Sequence, residues 1–530
     1  MTKIFYNQLG YRPTDRKIVS VVGAEQDRWI LKNEEQEIVA QGVLSDEKCD
    51  EASNEKVSSI DLSEVKAGGA YQLEVDETSA TIQIEKEPYK KAHIDLCRFF
   101  YFQRCGCALE EEYAGVFKHK ECHTTLATLI SDEKVKKDVT GGWHDAGDYG
   151  RYTVAATTAL GHLLYAYEMY PEAFEDSLHI PESGNSLPDI LNECRYELEW
   201  LLKMQKENGS VYHKVATRYF CGMVMPEDDL DELFLFDEGS CATAAFTAIM
   251  AMAARLYYEY DKAFSKELKK AALKGMEWLE ENPAFLQFRN PPNVMSGEYG
   301  DGSDKDERMW AYAELYRLTK EKDYLEMMAT YIDEVDTTHF GWGSVGGFVA
   351  LGYLIERQFD DSEYSEIFKQ RFTEEADAFV EMAENSAYET AMLPIDYRWG
   401  SNMTVLNRGV VLAVAYYFSN ANKYKTYMME QWNYVFGRNP LGVSYVTGLG
   451  TNAYSDPHHR PMVADGIEEA IPGFVSGGPN YGRQDQHVRS VFADDLPPAK
   501  AFADHFLSYS TNEITIYWNS PAVFLSAALA

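Results

Sequence analysis

Gly141-Gly142-Trp143-His144-Asp145-Ala146-Gly147-Asp148-Tyr149-Gly150-Arg151-Tyr152 sets two carboxylates three residues apart between glycines and aromatics, just before a helical pattern that begins near Tyr152. Glycine lets a backbone approach a ligand closely and take dihedrals closed to other residues. Trp143, Tyr149 and Tyr152 offer flat apolar faces of the kind on which sugar rings rest. Two such carboxylates can divide labour, one orienting a water while the other takes its proton, and crowding of like charge tends to raise one of their pKa values. The same spacing also suits an Asx turn in which Asp148 caps the helix.

Away from this loop the chain has two textures. In residues 1–87, period-2 alternation over 17–22, 29–31, 37–39, 70–75 and 80–84, broken by Gly, Asn and Asp, predicts an all-β sandwich. Beyond Glu87-Pro88, helical periodicity over 92–113, 154–169, 189–205, 241–260, 266–280, 308–319, 364–383, 406–418 and 522–529 predicts a paired all-α array, closed toroid or open solenoid. A length of 530 residues exceeds one ordinary core, so two domains are expected, 1–87 and 88–530. Long loops at 290–306, 337–347, 390–402 and 437–498 are rich in Gly, Asn, Asp, Pro and aromatics. Long ordered loops commonly carry function, which makes Trp310, Trp342 and Trp399, in or beside them, candidate stacking residues.

A net charge of −36 argues against a nucleic-acid partner, since a polyanion is repelled. Residues 1–20 hold no apolar signal-like core, so a cytoplasmic location is expected. The longest apolar run, 244–254, is too short to span a bilayer and reads as a buried helix, with no membrane role expected. Eight cysteines in so long a chain are too sparse for a disulfide scaffold and read as free thiols or metal ligands.

The segment Asp138-Val139-Thr140-Gly141-Gly142-Trp143-His144-Asp145-Ala146-Gly147-Asp148-Tyr149 resembles the signature of glycoside hydrolase family 9, the inverting cellulases, in the branch with an N-terminal immunoglobulin-like domain. Gly437-Arg438-Asn439-Pro440, Ser444-Tyr445-Val446-Thr447-Gly448, Pro457-His458-His459-Arg460 and Tyr509-Ser510-Thr511-Asn512-Glu513-Ile514 agree with it in order, and Tyr6-Asn7-Gln8-Leu9-Gly10-Tyr11-Arg12-Pro13 resembles the start of the immunoglobulin-like domain. The resemblance implies an immunoglobulin-like β-sandwich over 1–87, bracing an (α/α)6 toroid over 88–530 whose cleft is built from loops at one end. It implies Asp148 as catalytic base, Asp145 as a holder of the water and Glu513 as general acid, the acid and base standing roughly 6.5–9.5 Å apart in an inverting enzyme.

Substrate contacts are expected from His459 and Arg460, with His458 left open, and from Trp143, Tyr149, Trp342 and Trp399. Cys105, Cys122, His123 and His144 match a structural zinc site of the branch, with Cys107 a competitor for Cys105. Ser303, Asp306 and Glu307 lie in a segment that resembles the family's calcium loop, and no organic cofactor is expected. The implied activity is endo-β-1,4-glucanase action on cellulose-type glucans or cello-oligosaccharides. The alternatives are an exo-acting β-glucosidase or exo-β-glucosaminidase on imported oligosaccharides, and a catalytically silent carbohydrate-binding protein.

Overall fold

The alternating segments near the N-terminus form eight strands: β1 (Lys3–Phe5), β2 (Ile18–Val22), β3 (Arg28–Lys32), β4 (Ile38–Val43), β5 (Lys48–Asp50), β6 (Glu55–Asp61), β7 (Gly69–Val75) and β8 (Thr78–Ile84). In this computed structural model, which describes residues 1–356 and 362–530, they build two four-stranded sheets ordered β1-β2-β6-β5 and β4-β3-β7-β8. Inward-facing Val19, Val21, Leu31, Ile60, Leu73 and Ile82 close the sandwich around Tyr11. β6 escapes the periodicity argument because Glu55, Lys56, Ser58, Ser59 and Asp61 dilute its apolar alternation.

Twelve helices then pair around a ring: α1 (Lys90–Phe102), α2 (Thr153–Met169), α3 (Asp189–Met204), α4 (Ser240–Leu256), α5 (Lys262–Glu281), α6 (Lys305–Thr319), α7 (Lys322–Ala329), α8 (Gly346–Ile355), α9 (Glu363–Asn385), α10 (Ser401–Ser419), α11 (Asn422–Val435) and α12 (Ile516–Ala528). Even-numbered helices touch in succession, and α12 closes on α2, so the array is a toroid and not an open solenoid. Inner helices have no solvent face: nearly every residue of α2 and α4 is buried, which is why they read as apolar throughout. The apolar run 244–254 is thus a core helix. Outer helices such as α3 and α5 keep the amphipathic pattern.

Two expectations need correction. The helix expected over 92–113 stops at Phe102, because Gln103 and Cys105 leave it to pair with the 141–152 loop: His144 N donates to Gln103 O at 2.7 Å and Cys105 N to Gly142 O at 2.7 Å. The helical domain also carries a five-stranded sheet, ordered β10-β9-β13-β12-β11, of β9 (Ala127–Leu129), β10 (Asp132–Lys137), β11 (Arg151–Tyr152), β12 (Tyr212–Ala216) and β13 (Phe234–Glu238). Short strands scattered between Ala127 and Glu238 give no local signature of a shared sheet.

The Gly437-Arg438-Asn439-Pro440 motif serves the junction of the two domains. Arg438 is buried, donates to Ser20 Oγ at 3.2 Å on β2, and reaches Glu389 and Glu430, which also receive Arg16 of the sandwich. Asn7 Nδ2 donates to Asn433 Oδ1 at 2.8 Å across the same seam.

Candidate active site

The loop between Gly141 and Tyr152 is held from behind. Trp143 N donates to Glu197 Oε2 at 2.5 Å and its Nε1 to Glu193 Oε1 at 2.8 Å, both on α3. Asp145 N donates to Gly150 O at 2.9 Å and Gly150 N to Asp148 Oδ2 at 2.9 Å, closing a tight turn. Gly147 is obligatory there: a Cβ would lie 1.9 Å from the His458 carbonyl oxygen. Through that contact the loop meets the 457–460 block, whose Arg460 donates to Gly147 O from its backbone N at 3.1 Å and from Nη1 at 2.7 Å. Glu513 arrives from the other side, since His458 pairs with it as an isolated bridge and Ala146 pairs with Thr515.

These segments line one cleft of about 810 Å³, with Asp145, Asp148 and Glu513 on its walls among Tyr152, Phe220, Tyr299, Trp342, Trp399, His458, Arg460, Tyr509, Tyr517 and Trp518. Asp145 is 1% exposed, and Tyr299 Oη donates to its Oδ2 at 2.5 Å. Burial raises the Asp145 carboxyl well above its ordinary range, with the Tyr299 hydrogen bond opposing and the Asp148 charge adding. Glu513, ringed by protein yet partly open to the cleft, is raised well above the ordinary glutamate range by burial first and then by Asp148 and Asp145.

The aromatic and imidazole expectations divide. Trp342 and the exposed Trp399 line the cleft. Trp143 does not: it is buried against Phe100, its ring face unavailable to a sugar. Tyr149 is buried too, its Oη donating to Val224 O at 2.5 Å and its ring against His123 and His144. Trp310 stacks on Phe348 inside the toroid. Arg460 and His458 line the cleft, whereas His459 turns inward, with Nε2 3.0 Å from Gln103 Oε1. Gln103 in turn donates to His144 O and Ala146 O, so His459 buttresses the 141–152 loop from behind instead of lining the cleft. Tyr299 escaped the sequence reading; its only signal was its place in the Gly- and Asn-rich 290–306 loop, where it takes a left-handed φ of 47°.

Cys105, Cys122, His123 and His144 converge, each presenting one ligand atom, all within 4.8 Å of one another. Tetrahedral zinc, with bonds of about 2.0–2.3 Å to nitrogen and sulfur, fits a buried set of two thiols and two imidazoles. His123 Nε2 sits 3.3 Å from Asp229 Oδ2, the outer carboxylate that orients a ligating histidine. Cys107 stays outside the cluster. Around the expected calcium loop the donor set changes: Cys241, Asp301 and Glu307 bring ligand atoms within 4.8 Å, while Asp306 Oδ2 accepts from Val345 N at 2.8 Å and Ser303 turns its carbonyl oxygen to Cys241 Sγ at 3.2 Å. Both carboxylate oxygens of the buried Glu307 and Oδ2 of Asp301 lack a partner among the described residues.

A sandwich braced on an (α/α)6 toroid, with three carboxylates across a loop-built cleft, defines a glycoside hydrolase class. The family model described as glycosyl hydrolase family 9 matches residues 89–526, and that of the cellulase N-terminal ig-like domain matches 1–80. The chain belongs to glycosyl hydrolase family 9 and is an enzyme of β-1,4-glucan hydrolysis. It is 37% identical to a cellodextrinase of Butyrivibrio fibrisolvens over 99% of both chains. It superposes with a TM-score of 0.93 on a single mutant of a thermostable endoglucanase from Alicyclobacillus acidocaldarius, 36% identical over 99% of each chain. A Zn-binding triple mutant of the family 9 endoglucanase J30 superposes at 0.92, 32% identical over 97% of this chain and 99% of that one.

Proposed function

We propose that the chain cleaves β-1,4-glucosidic bonds of cello-oligosaccharides in a single inverting displacement. Water held by Asp145 attacks the anomeric carbon, Asp148 accepts its proton, the glycosidic C–O bond breaks and Glu513 delivers its proton to the departing oxygen. The observation that carries this reading is the shared cleft, in which burial and two neighbouring carboxylates favour the protonated form of Glu513 while Asp145 Oδ1 has no hydrogen-bond partner among the described residues. Trp342, Trp399, Arg460 and His458 are the sugar contacts, the His458 ring kept neutral by burial with Nδ1 bonded to Phe506 O at 2.5 Å. Asp148→Asn and Glu513→Gln each lower kcat by about 10²–10⁴-fold with circular dichroism unchanged, and proton NMR during early hydrolysis shows the α-anomer first. Wild-type turnover in both folded variants, or initial β-anomer, overturns the scheme.

The Cys105/Cys122/His123/His144 cluster is proposed as a structural zinc site, supported by its donor set; four protein ligands leave no position for a reacting water. When bound, zinc would tie His144, and so Asp145, to the 103–105 and 122–123 segments. Asp301 and Glu307 are proposed as a second cation site, their carboxylate oxygens suiting calcium, with the neighbouring Cys241 thiol too soft a donor to count as a ligand. Elemental analysis gives about one zinc per chain, lost in Cys105→Ser/Cys122→Ser, and equilibrium dialysis after chelation shows calcium rebinding that Glu307→Gln abolishes. Metal-free wild-type protein of unchanged melting temperature refutes both sites.

A further inference from the structure

Lys214 is 0% exposed, a place that costs an ammonium its hydration unless its donors are all taken. It sits on β12 directly opposite Tyr152 of β11, the strand into which the catalytic loop runs. From there Nζ donates into one short segment of the 290–299 loop: to Asn290 Oδ1 at 2.8 Å, Ser296 Oγ at 3.1 Å, Ser296 O at 3.2 Å and Gly297 O at 2.6 Å. Three donors shared among four acceptors leave none of the ammonium's hydrogen-bonding capacity unused. The rings of Phe236, Tyr152 and Phe288 surround the charge at 4.4, 5.6 and 5.8 Å. Gly297 N closes the circuit by donating to Tyr152 Oη at 3.1 Å.

Two residues beyond Gly297, the same loop carries Tyr299 to Asp145 at a left-handed φ that a tyrosine keeps only when its surroundings impose it. Burial pulls the Lys214 pKa down to about 7, and the negative charges of Asp148 and Glu298 oppose that pull in favour of the ammonium. We propose that Lys214 is a positioning residue for hydrolysis, its buried ammonium clamping residues 290–297 onto β11 so that Tyr299 is held on Asp145. The clamp acts through Tyr299 and touches no substrate. It rests on the roles proposed above for Asp145 and Asp148.

The test is a double-mutant cycle in kcat between Lys214→Met and Tyr299→Phe, read on a soluble cello-oligosaccharide with KM measured alongside. Misplacement of a catalytic group by about 1 Å costs up to roughly 10²-fold, so Lys214→Met lowers kcat by about 10- to 100-fold while KM stays within about threefold. In the Tyr299→Phe background it lowers kcat by less than about threefold, because the contact it supports is already gone. Asn290→Ala loosens the same clamp from its half-exposed side and shows a smaller loss with the same non-additivity, which carries the test should Lys214→Met fail to fold. Wild-type kcat in a folded Lys214→Met protein, or losses that multiply in the double variant, overturns the inference. Should Asp145→Asn and Asp148→Asn retain full turnover, the underlying roles fall; should they abolish it while the lysine cycle is additive, only the clamp falls.

Discussion

At the scale of the residue, the proposed displacement requires one carboxyl to stay protonated beside two others. Burial and the charges of Asp148 and Asp145 favour the acid form of Glu513, so the alkaline limb of kcat/KM lies above the ordinary glutamate range near about 4.3. Asp145 is pushed in the same direction by burial, and the Tyr299 hydrogen bond is what favours its ionised form. Tyr299→Phe therefore raises the Asp145 pKa and moves the acid limb of the pH–rate profile to higher pH, with the alkaline limb little changed. An unmoved acid limb would show that Tyr299 orients Asp145 without tuning it.

At the scale of the element, the inner ring is limited by space. Gly161 lies mid-way along α2, where a Cβ would meet the Phe348 ring at 2.8 Å. That ring has no room to yield: Tyr165, Trp310, His162 and Phe340 surround it. On an exposed helix Gly→Ala stabilises by about 1 kcal/mol, but overpacking a filled core costs about 1–3 kcal/mol, so here the clash wins. Gly161→Ala should lower the urea midpoint, while activity per folded molecule is retained. Alternating and 3.6-residue periods were enough to place β2, β3, β7, β8 and seven of the helices, α2 to α6, α9 and α10. They failed at α1, whose end is set by pairing with the catalytic loop, and at α12, where Pro521 stands inside the helix and the apolar pattern alone starts one residue later.

At the scale of the whole molecule, the sandwich is bound to the toroid through charge. Arg438 and Glu430 are each no more than 1% exposed, so removing one partner leaves the other's charge uncompensated. Arg438→Met should cost about 3 kcal/mol, measured as a lower unfolding midpoint at pH 7. Burial would raise the Glu389 carboxyl, but Arg438 and Arg16 hold it well below its usual range. A depressed folded pKa gives stability that is complete above the unfolded pKa, about 4.3, and is lost as pH falls toward the folded one. The gap between wild type and Arg438→Met should accordingly narrow below about pH 4; a constant gap would place the effect in packing.

Local pattern in the chain determined the two domain types and singled out the 141–152 loop, because each is written in contiguous residues, whereas Glu513 and the Cys105/Cys122/His123/His144 set were legible only through the resemblance to the family, their local spacing carrying no signature of its own. Tertiary structure decided which of them face the cleft. His458 and His459 are neighbours of one type, yet the first lines the cleft and the second bonds Gln103 behind it. Trp143 carries the motif's largest aromatic face and spends it on Phe100. Side-chain direction in a loop has no period to read; it follows from what the loop packs against. Tyr299 and Lys214 meet the site from segments 150 and 65 residues beyond the motif, and that juxtaposition exists only once the ring has closed and β12 has paired with β11.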